Sequence, residues 1–106
     1  MSDEMSLQEL KEARDSGEGL FLLDVREPHE LEISVLTDVV AIPMAEVPDR
    51  LEEIPQDVDI VVICRTGGRS GKVTHFLKAM GYPRVRNLVG GMNGWATEID
   101  TSLPTY

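Results

Sequence analysis

Residues 60–70 read Ile60-Val61-Val62-Ile63-Cys64-Arg65-Thr66-Gly67-Gly68-Arg69-Ser70. The opening run is β-branched throughout, which favours a strand. It shows no polar alternation, the pattern of a strand covered on both faces, as in a parallel sheet. A loop with two glycines follows. Beyond it Val73, Phe76, Leu77 and Met80 recur at helical spacing, predicting an amphipathic helix that Gly81 and Pro83 end. Strand, loop and helix in this order form one half of an α/β unit.

The alternation continues on either side. Toward the N-terminus, Ser6-Leu7-Gln8-Glu9 reads as a capping box opening a helix to about Ser16, with Leu7, Leu10 and Ala13 on one face. Gly17 and Gly19 end it. Leu20-Phe21-Leu22-Leu23-Asp24-Val25 is a second apolar run suited to a buried strand, with one acid near its end. Pro28 suits the first turn of a short helix over 29–32. Val39-Val40-Ala41-Ile42 predicts a short strand stopped by Pro43. Val47, Leu51 and Ile54 fall at i, i+4 and i+7, predicting an amphipathic helix closed by Pro55. Toward the C-terminus, 85–89 makes a further strand, and Gly90-Gly91 turns into a last short helix holding Trp95 and Ala96. Strands alternating with helices imply an α/β fold with a mostly parallel sheet. Ligands of such sheets bind at the carboxyl ends of the strands, and Cys64 lies at one.

The chain has 106 residues, the size of one domain, with 42% apolar and 27% charged residues as in an ordinary soluble protein. Its single cysteine excludes an internal disulfide and a cysteine-rich zinc site, and His29 and His75 are too far apart in sequence to suggest a metal site. A net charge of −9, from 19 acids and 10 bases, argues against nucleic acid and anionic membranes as partners. It suits a self-repelling surface, or docking to a basic patch on a partner protein. Met1-Ser2-Asp3-Glu4-Met5 lacks the basic start and apolar core of a signal peptide, and no apolar run approaches the roughly 20 residues of a membrane span. A cytoplasmic location with a reduced thiol is therefore expected.

The chemistry concentrates at 64–70. Amides at a helix start lack internal partners and sit at the positive end of the helix dipole. Gly67 and Gly68 let the loop curl so that several amides face one point. Arg65 and Arg69 would add positive charge. This is an anion cradle with a sulfur atom at its centre, and it should lower the pKa of Cys64. Ser70 would donate a hydrogen bond to the thiolate or cap the helix. A lone cysteine at a strand end is usually a small buried hydrophobe. Two arginines, two glycines and a following helix favour a nucleophile instead. Asp24, an acid in an apolar strand, needs a partner. Trp95 reads as core, His75 as solvent-exposed, and Gly90-Gly91 as a tight backbone turn.

Four segments together resemble the rhodanese family: 22–30, Ile42-Pro43, 62–70 and 87–95, in that order and at the family's separations. The resemblance covers most of the chain. It implies one domain over 1–106, a three-layer α/β/α fold around a five-stranded parallel sheet, and a short first strand near Met5. It implies that Cys64 accepts a sulfane sulfur from thiosulfate or a donor protein's persulfide. The acceptor would be thiophilic: cyanide in vitro, and a thiol or sulfur-carrier protein in the cell. Arg65, Thr66, Gly67, Gly68, Arg69 and Ser70 would form the substrate loop, with Asp24 and Arg26 as structural supports, and no metal or organic cofactor. A cysteine desulfurase is a further partner implied, with a monomer or weak dimer as the assembly. Ser34-Val35-Leu36-Thr37-Asp38-Val39-Val40 departs from the Gly-His pair common in the family. It resembles the rhodanese domains fused to ubiquitin-activating-like sulfurylases, which serve molybdopterin and thiolated-tRNA pathways.

Three other functions meet objections. Cysteine phosphatases place arginine six residues after the cysteine; here Arg69 is the fifth and Ser70 the sixth, so the loop is one residue short for phosphate. No loop aspartate is present to protonate a leaving alcohol. Arsenate reduction meets the same size objection. Non-catalytic docking modules of this family often lack the cysteine that is present here.

Overall fold

The computed structural model describes residues 3–106. Five strands, β1 (Glu4–Met5), β2 (Leu20–Asp24), β3 (Val39–Ala41), β4 (Asp59–Ile63) and β5 (Val85–Leu88), pair in parallel in the order β1-β5-β4-β2-β3. Among the described residues four α-helices accompany them: α1 (Leu7–Asp15), α2 (Pro28–Leu31), α3 (Gly68–Ala79) and α4 (Gly91–Glu98). The family resemblance, not the residue pattern, anticipated β1.

Strand pleating divides β4 between two cores. Ile60 and Val62 face a layer holding Val47, Ile54, Val73 and Leu77. Val61 and Ile63 face Leu7, Leu10, Met92 and Trp95 of α1 and α4. All four are essentially inaccessible, so both faces of the sheet are covered, as the unbroken apolar run required. The result is a three-layer α/β/α sandwich. From β2 the chain moves outward to β3, and from β4 it moves the opposite way to β5. The crevice between the carboxyl ends of β2 and β4 is thus the topological switch point, where open parallel sheets bind ligands. Register places Asp24 beside Ile63, so 24–30 and 64–70 open into that crevice together.

Two expectations are corrected. The stretch holding Val47, Leu51 and Ile54 is not one α-helix but two 3₁₀ turns, Met44–Asp49 and Leu51–Glu53. Pro48 has no N–H to donate and its ring obstructs the preceding turn, and Arg50 breaks the run with φ −129°. Val47 and Ile54 are still buried, so the apolar spacing held although the helix type did not. Met80, placed on the apolar face of α3, is 48% exposed because the helix ends at Ala79. Tyr82 completes that layer, its hydroxyl within donating distance of the carbonyls of both Leu51 and Ile54.

Candidate active site

β4 delivers Cys64 to the carboxyl edge of the sheet, and α3 begins four residues later. Gly67 is the N-cap of α3 at φ +112°, a left-handed conformation that L side chains rarely adopt. That conformation aims its amide at the sulfur, with N to Sγ 3.1 Å. Ser70, in the first turn and fully buried, brings its hydroxyl to 3.2 Å from Sγ. Ser70 therefore faces the sulfur and does not cap the helix. Gly68 has an ordinary φ and open space where a Cβ would stand, so only one of the two loop glycines is required by geometry.

Cys64 is 1% exposed. Burial pushes its thiol up. The Ser70 hydroxyl and the amides of Ser70, Gly67 and Thr66 together outweigh that, and the thiol lies below its ordinary range. A cysteine packed merely as a hydrophobe would be pushed the other way. Ser70→Ala removes the strongest of these donors. The midpoint of Cys64 alkylation against pH is expected to rise by about one to two units, since a hydrogen bond to a charged group contributes roughly 1.5–3 kcal/mol.

The arginines act differently from the sequence-based expectation of free positive charge. Arg69 is near enough to feel the sulfur, but its guanidinium is engaged by Glu30 in a two-pronged ion pair, Nη1–Oε1 2.6 Å and Nη2–Oε2 2.8 Å. Arg65 and Thr66 are exposed, and Arg65 lies over the Tyr106 ring, 5.0 Å from its centre. Among the described residues Arg65 has no carboxylate partner.

Asp24 and Arg26, both fully buried, pair through Nε–Oδ1 at 2.9 Å and Nη2–Oδ2 at 2.8 Å. Arg26 also donates to the carbonyls of Glu30 and Ser34 and to the Tyr106 hydroxyl. That hydroxyl donates in turn to Glu30. A chain of contacts thus runs from Asp24 through Arg26, Tyr106 and Glu30 to Arg69 on the loop.

On the far side, α4 holds the loop backbone. Its first amides, which no helical carbonyl can satisfy, bond the loop: Met92 N to the Cys64 carbonyl at 2.9 Å and Asn93 N to the Arg65 carbonyl at 3.0 Å. Gly91 makes this approach possible, and Gly90-Gly91 is accordingly more than a turn.

A model of the rhodanese-like domain matches residues 6–98. The chain belongs to the rhodanese-like domain family. A sulfurtransferase of Allochromatium vinosum is 38% identical over 96 residues, covering 91% of this chain and 90% of that protein. The Arabidopsis thaliana adenylyltransferase and sulfurtransferase MOCS3 is 29% identical over 96% of this chain, which spans only 25% of that longer protein. Among solved structures, a rhodanese-like domain protein from Staphylococcus aureus superposes with a TM-score of 0.85 at 28% identity, covering 100% of this chain and 99% of that one.

Three residues of this rhodanese-like site have no role in the sequence-based reading. Glu30 is buried, and its carboxyl is held far below the usual range. Arg69 is the main cause; burial opposes it, and the Tyr106 hydroxyl and Glu27 amide reinforce it. The only local signal is its place three residues after Glu27, which looks like ordinary capping and is in fact also used so. Asn87, at the end of β5, donates to the Gly67 carbonyl at 3.1 Å and accepts the Ser70 hydroxyl. Tyr106 is seated by two bonds with Asn93. Nothing local marks it, because its partners lie far away in sequence.

Proposed function

We propose that this rhodanese-like domain is a sulfurtransferase that carries a sulfane sulfur as a persulfide on Cys64. The donor is thiosulfate or a donor protein's persulfide. The acceptor is thiophilic: cyanide in vitro, a thiol or sulfur-carrier protein in the cell. The observation that supports this best is the ring of donors on a buried sulfur, with the Gly67 amide at 3.1 Å and the Ser70 hydroxyl at 3.2 Å. Such a ring stabilises a sulfur anion without adding a counter-ion that would block its approach to a substrate. The similarity to a sulfurtransferase along nearly the whole of both chains points the same way.

In the first half-reaction the Cys64 thiolate attacks the outer sulfur of thiosulfate. A sulfur–sulfur bond forms to Sγ, the bond to the sulfonate sulfur breaks, and sulfite leaves with the electron pair. With a protein persulfide as donor, the departing group is that protein's thiolate. The charge now sits on the terminal sulfur of Cys64, within reach of the loop amides. In the second half-reaction cyanide or a thiolate takes that sulfur and Cys64 returns as thiolate. Arg65, exposed and without a carboxylate partner among the described residues, is the residue we assign to anionic donors, while Arg69 shapes the loop through Glu30.

The test is intact mass after incubation with thiosulfate and, separately, with a persulfidated cysteine desulfurase. A gain of one sulfur atom is expected, removed by cyanide and blocked by prior alkylation of Cys64. Uptake from neither donor overturns the reading.

A further inference from the structure

The Asn87 side chain makes two hydrogen bonds, and each fixes the other. Its Nδ2 donates to the carbonyl of Gly67 at 3.1 Å, which leaves Oδ1 facing the Ser70 hydroxyl. Ser70 thus has two acceptors within reach, Asn87 Oδ1 and Cys64 Sγ, but a hydroxyl has one hydrogen. Ser70 is fully buried and Cys64 nearly so. A buried hydroxyl hydrogen without a partner is costly, so it must point at one of the two.

The choice follows the charge on sulfur. As a thiol, Cys64 can donate its own hydrogen to Ser70 Oγ, and Ser70 donates onward to Asn87. As a thiolate, sulfur becomes the stronger acceptor. The Ser70 hydrogen then turns to Sγ, and the Asn87 oxygen gives up its bond. We propose that Asn87 is a positioning residue that competes with Cys64 for the single hydrogen of Ser70 and thereby sets how readily the thiol ionises.

One consequence bears on sulfur transfer. In a persulfide the charge moves to the terminal sulfur and Sγ becomes a neutral, weakly accepting atom. Asn87 then offers Ser70 a partner at the moment Sγ ceases to be one. That step rests on the proposed persulfide chemistry; the competition itself does not.

The competing account is that Asn87 is scaffolding, holding Gly67 so that its amide points at sulfur. The two accounts predict shifts of opposite sign. Removing a scaffold loosens the Gly67 amide and raises the thiol pKa. Removing a competitor frees the Ser70 hydrogen for the thiolate and lowers it.

The experiment is the pH profile of Cys64 alkylation by iodoacetamide in Asn87→Ala, in Ser70→Ala and in the double variant. Asn87→Val, better suited to a strand, serves if the alanine variant does not fold. Loss of one hydrogen-bond acceptor is expected to move the Asn87→Ala midpoint about half a pH unit or more to the acid side. In the Ser70→Ala background the same substitution should produce no acid shift, because there is no hydrogen left to compete for. An unchanged or alkaline midpoint in Asn87→Ala, or an acid shift that persists without Ser70, overturns the proposal. Alkylation reads the thiol whether or not sulfur is transferred. Failure here therefore leaves sulfur uptake standing, and absence of uptake leaves this result interpretable.

Discussion

Gly91→Ala is expected to destabilise the fold by about 3–4 kcal/mol, combining about 1–2 for a left-handed non-glycine residue with roughly 1 for each of two hydrogen bonds lost. Gly91 stands at φ +56°, and a Cβ there would lie 2.4 Å from the Cys64 carbonyl oxygen and 2.5 Å from that of Arg65. Both obstacles are backbone, so no side chain can swing aside. α4 would have to withdraw, breaking the bonds from Met92 N and Asn93 N to those same carbonyls. A loss of this size is a large share of the roughly 5–15 kcal/mol that holds a typical domain together. Gly68→Ala is the control. It lies in the same site with nothing within 4 Å of the added carbon, and should change stability little. Urea unfolding midpoints decide the matter. A Gly91→Ala midpoint close to that of the parent would show that α4 is not what braces the loop.

What the sequence made legible was local. The apolar run at 60–63 shows a strand covered on both faces, because no polar residue interrupts it. The Ser6 capping box is visible because both of its partners lie within three residues, and the structure forms both bonds. Cys64, Gly67 and Ser70 were legible as one cradle because a strand-loop-helix junction brings them together whatever the rest of the chain does. The charge at the loop is not legible in this way, for the same reason. Arg69 looks free when only its neighbours are considered, but its partner Glu30 lies 39 residues earlier and arrives through the pairing of β2 with β4. Asn87 and Tyr106 likewise act through contacts that exist only once the sheet is assembled. The split of the 44–53 segment into 3₁₀ turns was, by contrast, readable in principle. Pro48 sits in the middle of it, and its missing N–H interrupts a helix ladder whatever the apolar spacing around it.

Asp24→Ala is expected to cost about 3–5 kcal/mol, the usual penalty for leaving one partner of a buried ion pair uncompensated. Neither side chain has any exposed surface, so the stranded Arg26 guanidinium could not turn to solvent without opening the crevice. Replacing both residues by apolar ones of similar size, Asp24→Leu with Arg26→Met, removes the stranded charge and should recover part of the loss. Full recovery is not expected. Arg26 is also a clasp, donating to the carbonyls of Ser34 at 2.7 Å and Glu30 at 3.3 Å and to the Tyr106 hydroxyl at 3.1 Å. The Glu30 carbonyl keeps the amides of Ile33 and Ser34, but the Ser34 carbonyl and the Tyr106 hydroxyl lose the Arg26 donor in the double variant, at about 1–3 kcal/mol for either left unsatisfied. The shortfall should reach the site as well. Tyr106 and the main chain of Glu30 position the carboxylate that holds Arg69, so the double variant should transfer sulfur less well than its residual stability alone would dictate. Complete recovery of both stability and transfer would mean that Arg26 serves only to neutralise Asp24. Recovery of stability without transfer would separate the two roles and place the clasp in the service of the loop.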